Sequence, residues 1–450
     1  MKHFFRHILS FILLYSSFSP LAAQVQYEVI PLPQSITYTH GAPFILTPNT
    51  KIVYPQGDAD LQQVAELLSQ YLSLHTGRPL ALTDALRSNE PVIRLSTGYT
   101  EGQEGAYNLY VSENEIHIQG SGVAGVLHGA QTLRKSLPVG AIQQRLSLPS
   151  VHIKDAPRFA YRGMHLDVAR HFWPLDFIKR YIDILALHNM NYLHLHLTDD
   201  QGWRVEIKKH PKLTEIGAWR KETLIGKSQE YDGIPHGGFY TQEELKELVA
   251  YAGQRQITII PEVDLPGHMS AVLACYPELG CTGGPYEVAT KWGVFDEVLC
   301  AGNEQIYTFL EEVFTELIQI FPSPYIHIGG DECTKHRWEA CPHCQAKIKE
   351  LGLLPDDQHS AEQKLQAYVI SRVGAFLNSQ GRSIIGWDEI LDGAQKPNAI
   401  IMAWHGHSSG AAAAKQGLKA IMVPSSYAYF DFYQTLNIAN VPLALGGHLP

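Results

Sequence analysis

Short apolar runs in the second part of the chain end repeatedly in carboxylates, histidines and aromatic residues. One run is followed by Gly329 and Gly330 and then by an adjacent acidic pair, Asp331 and Glu332. Carboxylates of this kind transfer protons at glycosidic oxygens. Flat aromatic rings stack on the apolar face of a sugar, and charged side chains bind its hydroxyl groups. The combination indicates chemistry on a carbohydrate.

Residues of these types follow each of seven candidate strands, where the working groups of a parallel barrel gather. In chain order they are Asp167, Arg170 and His171; Asp199 and Asp200; Glu262, Asp264 and His268; Asp331 and Glu332; Trp387, Asp388 and Glu389; Trp404 and His405; and Tyr427, Tyr429 and Asp431. Because they recur at every strand end, we expect one pocket assembled from many loops.

Short strands alternating with helices must position these residues. The candidate strands are 163–168, 191–197, 257–263, 325–328, 383–387, 399–403 and 419–423. Helical periodicity is clearest at 175–188, 242–254, 304–320 and 362–379. Strands separated by helices pair in parallel through right-handed crossovers. The predicted fold is α/β, a (β/α)8 TIM barrel over residues 155–450. The alternative, an open dinucleotide-binding sheet, is disfavoured because no helix in the sequence opens with a Gly-x-Gly-x-x-Gly motif.

Residues 24–150 lack the regular alternation of strands and helices seen later in the chain. Their pattern predicts a small α+β domain without obvious catalytic residues. Apolar residues at helical spacing predict a helix over 58–75, and a second helix is expected over 123–137. Candidate strands lie at 91–96 and at 107–119, the latter folded back at 112–114. We expect this domain to be structural.

The bulk composition fits two globular domains rather than a disordered or nucleic-acid-binding chain. At 450 residues the chain exceeds one ordinary core. Hydrophobic residues make up 45% and charged residues 18%, as in globular proteins. A formal net charge of -10 without any basic run excludes a general nucleic-acid binder, which needs clustered Lys and Arg.

The first 23 residues predict a secretory signal peptide. Lys2 and Arg6 precede an apolar run over 8–18, and Leu21-Ala22-Ala23 offers a cleavage point. The run is too short to span a bilayer, although an uncleaved anchor is the alternative. We expect an exported protein without a stable membrane span, which is periplasmic, outer-membrane-associated or secreted.

The six cysteines are compatible with export, and their state stays open. Cys281 and Cys300 flank a Gly-rich loop, and an oxidising compartment would allow them to pair. Cys333, Cys341 and Cys344 cluster with histidines, yet a lone C-x-x-C is a weak zinc signal. A disulfide or free thiols are favoured there over structural zinc, so no metal and no cofactor is expected.

Several long motifs, in the right order, resemble glycoside hydrolase family 20, the β-N-acetylhexosaminidases. The most specific is His327-Ile328-Gly329-Gly330-Asp331-Glu332, which is similar to the catalytic signature of that family. The other matching stretches are 161–167, 169–172, 194–204, 261–268, 386–389 and 429–431, with a looser match at 128–133. The resemblance implies the family's small N-terminal domain followed by its catalytic barrel. It also implies a disulfide between Cys281 and Cys300.

The resemblance implies an exo-acting, retaining hydrolase whose substrates are glycans or chitooligosaccharides ending in N-acetylglucosamine or N-acetylgalactosamine. The 2-acetamido oxygen of the substrate attacks the anomeric carbon, and an oxazolinium intermediate forms. Glu332 would protonate the leaving oxygen and later activate water. Asp331 would hold the acetamide N–H and stabilise the charged intermediate, with Tyr429 on the other side.

Six further residues take roles by the same resemblance. Arg162 would bind the sugar's O3 and O4, and Asp431 its O4. Trp387 and Trp404 would form the pocket walls around one terminal sugar. Asp199 and His268 would form a relay that sets the charge state of Glu332. These predicted site residues are Arg162, Asp199, His268, Trp387, Trp404, Tyr429 and Asp431, together with Asp331 and Glu332.

Plainer interpretations exist for each part of this site. A Gly-Gly-Asp-Glu stretch also suits a strand-to-helix turn with an N-cap Asp. The two tryptophans fit core positions, and Arg162 could pair structurally with Asp167 or Glu262. A different class, a barrel metal hydrolase, would use His194, His196, Asp199, His268 and Asp331 as ligands. An inactive carbohydrate-binding protein is disfavoured because both carboxylates are present.

The sequence supplies only seven barrel strands and stops shortly after the seventh. The family's last strand brings another Trp and a Glu, which have no counterpart here, so either the chain is incomplete or the barrel closes unusually. Unpaired strand edges at 163–168 and 419–423 would then promote aggregation. The sequence leaves open the choice between N-acetylglucosamine and N-acetylgalactosamine, the natural glycan and the oligomeric state.

Overall fold

The computed structural model describes residues 25–84, 90–140, 142, 145–393, 398–444 and 446–448. The chain divides into two compact units, Met1–Arg158 and Phe159–Pro450. The predicted signal peptide lies outside the described residues. None of the helices in the described part of the chain has the length and apolar character that crossing a membrane requires.

The first unit is a mixed seven-stranded sheet with two helices. Its strands, in spatial order, are Ser35–Tyr38, Val151–Asp155, Tyr107–Val111, Glu115–Gly120, Val92–Thr97, Lys51–Val53 and Ala81–Thr83. A separate antiparallel pair is formed by Phe44–Leu46 and Leu146–Leu148. The helices, Ala59–Thr76 and Val123–Ser136, both contact the sheet. The two predicted helices and the predicted hairpin are therefore confirmed.

Local sequence explains the longer of these helices. Asp58 is its N-cap, and the Asp58 side chain accepts a hydrogen bond from the Leu61 backbone N–H. Gly77 ends the helix with φ of 78°, a left-handed conformation that glycine adopts without a Cβ clash. Residues at helical spacing, among them Val64 and Leu68, are buried against the sheet.

The second unit contains a curled parallel sheet of seven strands paired in chain order. The barrel strands, numbered first to seventh, are Gly163–Asp167, Tyr192–His196, Thr258–Leu265, Tyr325–Gly329, Ser383–Trp387, Ala399–Ala403 and Ala420–Met422. Every neighbouring pair is parallel. Sequential parallel pairing is the arrangement of a TIM barrel. The predicted fold class and all seven predicted strands are confirmed.

Amphipathic helices cover this sheet. The helices of eight or more residues are Leu175–Leu187, Gln242–Gly253, Gln305–Ile320, Pro342–Leu351, Ala361–Ser379 and His407–Lys415. Shorter ones are Lys212–Glu215, Ser270–Cys275, His336–Ala340 and Ser425–Ala428. Capping boxes start two of them, at Thr241 with Glu244 and at Ser360 with Gln363, so the sequence itself fixes where these helices begin.

The third barrel strand differs from the others in length and register. Its eight residues carry an irregularity between Glu262 and Leu265, where its pairing with the fourth strand shifts. An irregularity of this kind re-aims side chains near a sheet end. Both Glu262 and Asp264 are consequently buried among other titratable groups.

Candidate active site

The acidic pair lies directly after the fourth barrel strand, where the backbone turns sharply. Gly329 and Gly330 have φ of 64° and 100°, and Glu332 follows with φ of 48°. A Cβ on Gly329 would lie 1.6 Å from Oδ1 of Asp264, so no side chain fits there. The turn leaves the Asp331 side chain 17% exposed and the Glu332 side chain 36% exposed. Both carboxylates therefore reach the carboxyl end of the sheet.

Glu332 contacts one ring nitrogen of a buried histidine, and two other carboxylates contact the opposite ring nitrogen. Nε2 of His268 lies 3.3 Å from Oε2 of Glu332 and 3.6 Å from Oδ2 of Asp331. Nδ1 of the same ring lies 3.0 Å from Oδ2 of Asp200 and 3.2 Å from Oδ1 of Asp199. His268 also has a positive φ, 53°. The geometry fits the relay predicted for Asp199 and His268, with Asp200 as an additional member.

The charges in this relay favour a proton on the histidine. Burial opposes the charged imidazolium, but Asp199 and hydrogen bonds to the neighbouring carboxylates raise the pKa of His268 well above its ordinary value. The hydrogen bond with His268 lowers the pKa of Glu332, although partial burial acts in the other direction. Both shifts favour the imidazolium form of His268 next to the carboxylate form of Glu332.

Arg170 joins the first barrel strand to this relay. Its Nη1 lies 2.7 Å from Oδ2 of Asp199 and 3.1 Å from Oδ2 of Asp167. Burial disfavours the guanidinium charge, but Asp199 and Asp167 outweigh it and raise the pKa of Arg170 further. A permanent positive charge therefore stands at the carboxyl end of the first strand, beside the acidic pair.

The sugar contact predicted for Arg162 is wrong. Arg162 precedes the first barrel strand, so it lies at the amino end, about 16 Å from the end where the acidic pair sits, at 3.3 Å per residue. Its guanidinium donates hydrogen bonds to the carbonyl oxygens of Asn189 and Phe159. The signal that distinguishes Arg162 from Arg170 is position relative to the strand, since only residues after the strand reach the site.

Glu262 is fully buried within the sheet, and its carboxylate contacts several histidine rings and one tryptophan ring. Its Oε2 lies 2.6 Å from Nδ1 of His196 and 2.8 Å from Nε2 of His194, and its Oε1 lies 2.9 Å from Nδ1 of His327. The Trp387 indole N–H donates to Oε1 over 3.0 Å. Burial would keep Glu262 neutral, but the histidines hold its pKa well below the ordinary value.

His196, one of the ligands that the metal-hydrolase alternative would use, is paired with a carboxylate on each side of its ring. Both ring nitrogens of His196 lie against carboxylates, Nδ1 against Glu262 and Nε2 2.8 Å from Asp199. Burial lowers the pKa of His196, yet Glu262 and Asp199 outweigh this and raise it well above its ordinary value. His196 thus links the buried core to the relay.

The aromatic residues predicted for the pocket take two positions. Trp387 is only 8% exposed and lies at the base, with His327 4.9 Å from its ring centre. Trp404 is half-buried, and its ring is nearly parallel to that of Tyr429 at 6.4 Å. Asp431 is exposed and interacts electrostatically with Tyr429. Trp404, Tyr429 and Asp431 therefore lie together, while Trp387 is nearer a core position.

Two further carboxylates surround Asp331. Burial and the charge of Asp331 raise the pKa of Asp264 well above its ordinary value, and the Gly330 backbone N–H donates to Asp264 over 3.1 Å. Burial and Asp331 also raise the pKa of Glu389 to about 7, and Glu389 accepts a hydrogen bond from the Trp404 indole. Sequence reasoning noted both residues at strand ends and gave them no role.

Replacing Glu389 by Gln is expected to make stability less dependent on pH. A carboxyl whose pKa is raised by folding contributes most below its unfolded value near 4.5, and this contribution is lost as pH rises towards 7. Gln is neutral throughout, so the melting temperature of the variant should rise relative to the unmodified chain between pH 5 and pH 8. Glu113→Gln, at an exposed turn of the first unit, is the control. A pH-independent difference for Glu389→Gln would contradict the argument.

The cysteines do not form the simple pair predicted for them. All six are free thiols in the structure. Cys281 and Cys300 belong to a cluster that also contains Cys341 and Cys344. Cys333 lies outside this cluster, buried, with its Sγ near the Thr334 carbonyl oxygen.

Barrels with an acidic pair, a histidine relay and aromatic rings at the carboxyl ends of their strands are typical of glycoside hydrolases, and the fold and the site assign the chain to this class. Residues 159–447 match the profile described as "Glycosyl hydrolase family 20, catalytic domain", and residues 26–156 match "Glycosyl hydrolase family 20, domain 2". The chain belongs to glycosyl hydrolase family 20.

Similar proteins carry matching descriptions. The chain is 38% identical over 431 residues to a beta-hexosaminidase of Porphyromonas gingivalis, covering 94% of this chain and 53% of that protein. It is 36% identical over 423 residues to a beta-hexosaminidase of Vibrio furnissii, covering 92% and 66% respectively. The chain thus spans about half the length of the first relative and about two thirds of the second.

Solved structures agree with the fold. The GH20 beta-N-acetylhexosaminidase from Streptomyces coelicolor superposes with a TM-score of 0.78 at 31% identity, covering 94% of this chain and 80% of that one. An exo beta-N-acetylglucosaminidase from Vibrio harveyi, in complex with N-acetylglucosamine, gives a TM-score of 0.80 at 32% identity. It covers 92% of this chain and 63% of the Vibrio harveyi chain.

Proposed function

We propose that the chain is an exo-acting β-N-acetylhexosaminidase that releases terminal N-acetylglucosamine or N-acetylgalactosamine with retention of configuration. One observation carries this proposal. Glu332 reaches the carboxyl end of the sheet next to Asp331, with the buried His268–Asp199 pair behind it. The names of its relatives support the same activity.

Glu332 is proposed as the general acid and base. The raised pKa of His268 favours a proton on this ring, whose Nε2 is 3.3 Å from the Glu332 carboxylate. A sugar that covers Glu332 removes water from it, which favours the neutral carboxylic acid. The proton then moves to Glu332 and on to the departing glycosidic oxygen. Afterwards Glu332 deprotonates the incoming water.

Asp331 and Tyr429 are proposed to hold the substrate's acetamide group. Asp331 is mostly buried and close enough to Tyr429 to raise the pKa of its phenol, to which burial contributes most. The Asp331 carboxylate accepts from the acetamide N–H and stabilises the positive charge of the oxazolinium ion. The Tyr429 hydroxyl donates to the acetamide oxygen, which then attacks the anomeric carbon.

The remaining pocket residues are proposed to hold the terminal sugar. The half-buried Trp404 ring is the wall on which the sugar stacks. Asp431 is exposed at the mouth and accepts from O4. Arg170 takes the role first expected of Arg162, because it carries a charged guanidinium at the correct end of the strand.

Replacing Arg170 by Lys is expected to lower kcat/KM by about tenfold or more. Nη1 of Arg170 contacts both Asp167 and Asp199, and Lys would keep the charge but lose the planar guanidinium whose remaining N–H groups are proposed to bind the sugar hydroxyls. Arg162→Lys is the matched control. It removes contacts to backbone carbonyls at the opposite end of the strand, so it should lower the melting temperature and leave kcat/KM within about twofold. The reverse ranking of the two variants in kcat/KM would restore Arg162 to the site.

The activity itself is tested with three aryl β-glycosides. Hydrolysis of the N-acetylglucosaminide or N-acetylgalactosaminide, and not of the plain glucoside, is expected because only the first two carry the acetamide nucleophile. NMR of the first product should show the β-anomer. Equal cleavage of the glucoside, or a sugar trapped covalently on an enzyme carboxylate, would require a different mechanism.

Export is proposed as well, supported by the basic, apolar and small-residue pattern of residues 1–23. The chain expressed with these residues should appear outside the cytoplasm with Gln24 at its N-terminus. Intact-mass measurement of the fractionated protein checks this. Material that keeps Met1 and stays in the cytoplasm would contradict it.

A further inference from the structure

Four cysteines from two loops of the second unit meet at one point. Cys281 and Cys300 lie in the loop after the third barrel strand, and Cys341 and Cys344 lie after the fourth. Their sulfur atoms all lie within 4.8 Å of one another. Cys300, Cys341 and Cys344 are at most 3% exposed, and Cys281 is partly exposed. We propose that this four-cysteine cluster binds one structural Zn²⁺ ion.

The sulfur spacing matches a tetrahedral metal site. The Sγ–Sγ distances are 3.6 Å for Cys300–Cys341, 3.7 Å for Cys300–Cys344 and 3.9 Å for Cys281–Cys344. Four sulfurs placed tetrahedrally at the usual Zn–S distance of about 2.3 Å are separated by about 3.8 Å. The edges of the cluster therefore have the length that zinc coordination requires.

The same distances do not single out two disulfides. Cys300 lies almost equally close to Cys341 and Cys344, and Cys344 is near both Cys300 and Cys281. A disulfide needs one exclusive partner for each sulfur. The cluster instead connects all four sulfurs, as a shared central ion would.

The backbone around the cluster suits thiolates. Cys341 is the N-cap of the helix Pro342–Leu351 and Cys344 lies in its first turn, where the helix dipole favours negative charge. Gly302 lies against the first turn of this helix, close to the backbone of His343 and Cys344. A Cβ on Gly302 would lie 2.2 Å from the His343 carbonyl, so this close approach needs glycine.

Zinc fits better than a catalytic metal. Four protein ligands close the tetrahedron and leave no position for water, which is the pattern of structural zinc. Thiolates exclude Mg²⁺ and Ca²⁺, which prefer oxygen. The ion would join the connection that contains His268, after the third barrel strand, to the connection that contains Asp331 and Glu332, after the fourth. Its expected role is to hold these two loops in register.

The test is metal analysis of the purified chain together with thiol counting. Mass spectrometry for metals should give about one zinc per chain, falling below about one tenth in Cys300→Ser and Cys344→Ser. Cys275→Ser is the matched control, since Cys275 is buried outside the cluster and bonds to the Lys212 carbonyl. The control should keep its zinc.

Alkylation of the unmodified chain separates zinc from disulfides even if the serine variants do not fold. Denaturation with a chelator and without reductant should allow all six cysteines to react. Two or four cysteines that react only after reduction, with no metal bound, would overturn the proposal. Stoichiometric iron with visible absorption would also overturn it, because the ion would then not be zinc.

Discussion

Glu332→Gln is expected to lower kcat by about 10²–10⁴-fold on a substrate whose leaving group needs a proton. Gln keeps the size of the side chain and its contact with His268 but cannot donate the proton. The loss should shrink towards unity on an aryl glycoside with a strongly acidic phenol, because that group departs unprotonated. The ratio between the two substrates, not the loss alone, identifies the general acid.

The measurement is kcat for the two leaving groups in the variant and in the unmodified chain. Glu339→Gln, an exposed glutamate on the helix His336–Ala340, is the matched control and should leave both rates unchanged. An equal loss on both substrates would mean that Glu332 acts through positioning rather than proton transfer. A loss below tenfold on the poor leaving group would remove Glu332 from the mechanism.

Asp331→Asn is expected to lower kcat by about 10²–10³-fold, and equally for all leaving groups. Asn has nearly the same shape, but it lacks the negative charge that stabilises the oxazolinium ion. The loss should therefore not depend on the phenol, in contrast to Glu332→Gln. A thiazoline that mimics the bicyclic intermediate should bind the variant less tightly, because such mimics report transition-state binding.

The structure adds a second readout for Asp331. Its charge contributes to the raised pKa values of Asp264 and Glu389, after burial. Asp331→Asn should thus lower the pKa of Glu389 from about 7, which shifts the pH dependence of stability to lower pH. Asp357→Asn, in an exposed loop, is the control. A leaving-group-dependent rate loss together with an unchanged pH profile would contradict the proposed role.

The architecture of the second unit followed from the sequence because its signals are local. Apolar runs of strand length alternate with amphipathic helices, and each strand ends in a turn with polar residues. For that reason strands such as Ser383–Trp387 and Ala399–Ala403 match their predicted bounds. The position of Asp331 and Glu332 followed in the same way, as the residues after a strand.

The errors concern contacts that no local pattern encodes. Arg162 and Arg170 lie eight positions apart on either side of one short strand, and only the strand direction decides which reaches the site. The cysteine cluster unites residues up to 63 positions apart, from two loops whose paths the sequence does not specify. The contacts between the histidines and Glu262 could not be predicted from the sequence either, since they depend on the register between neighbouring strands.

The left-handed backbone conformation at His268 and Glu332 lowers the stability of the fold at two residues whose side chains are proposed to be needed for activity. Both residues carry a Cβ at φ near 50°, a conformation that costs about 1–2 kcal/mol and that glycine adopts freely. Heat resistance selected without regard to turnover is thus expected to favour glycine or asparagine at these two positions. Such a screen would raise stability by replacing the residues that are proposed to carry the reaction. Thermal engineering of this chain therefore needs an activity assay at every round of selection.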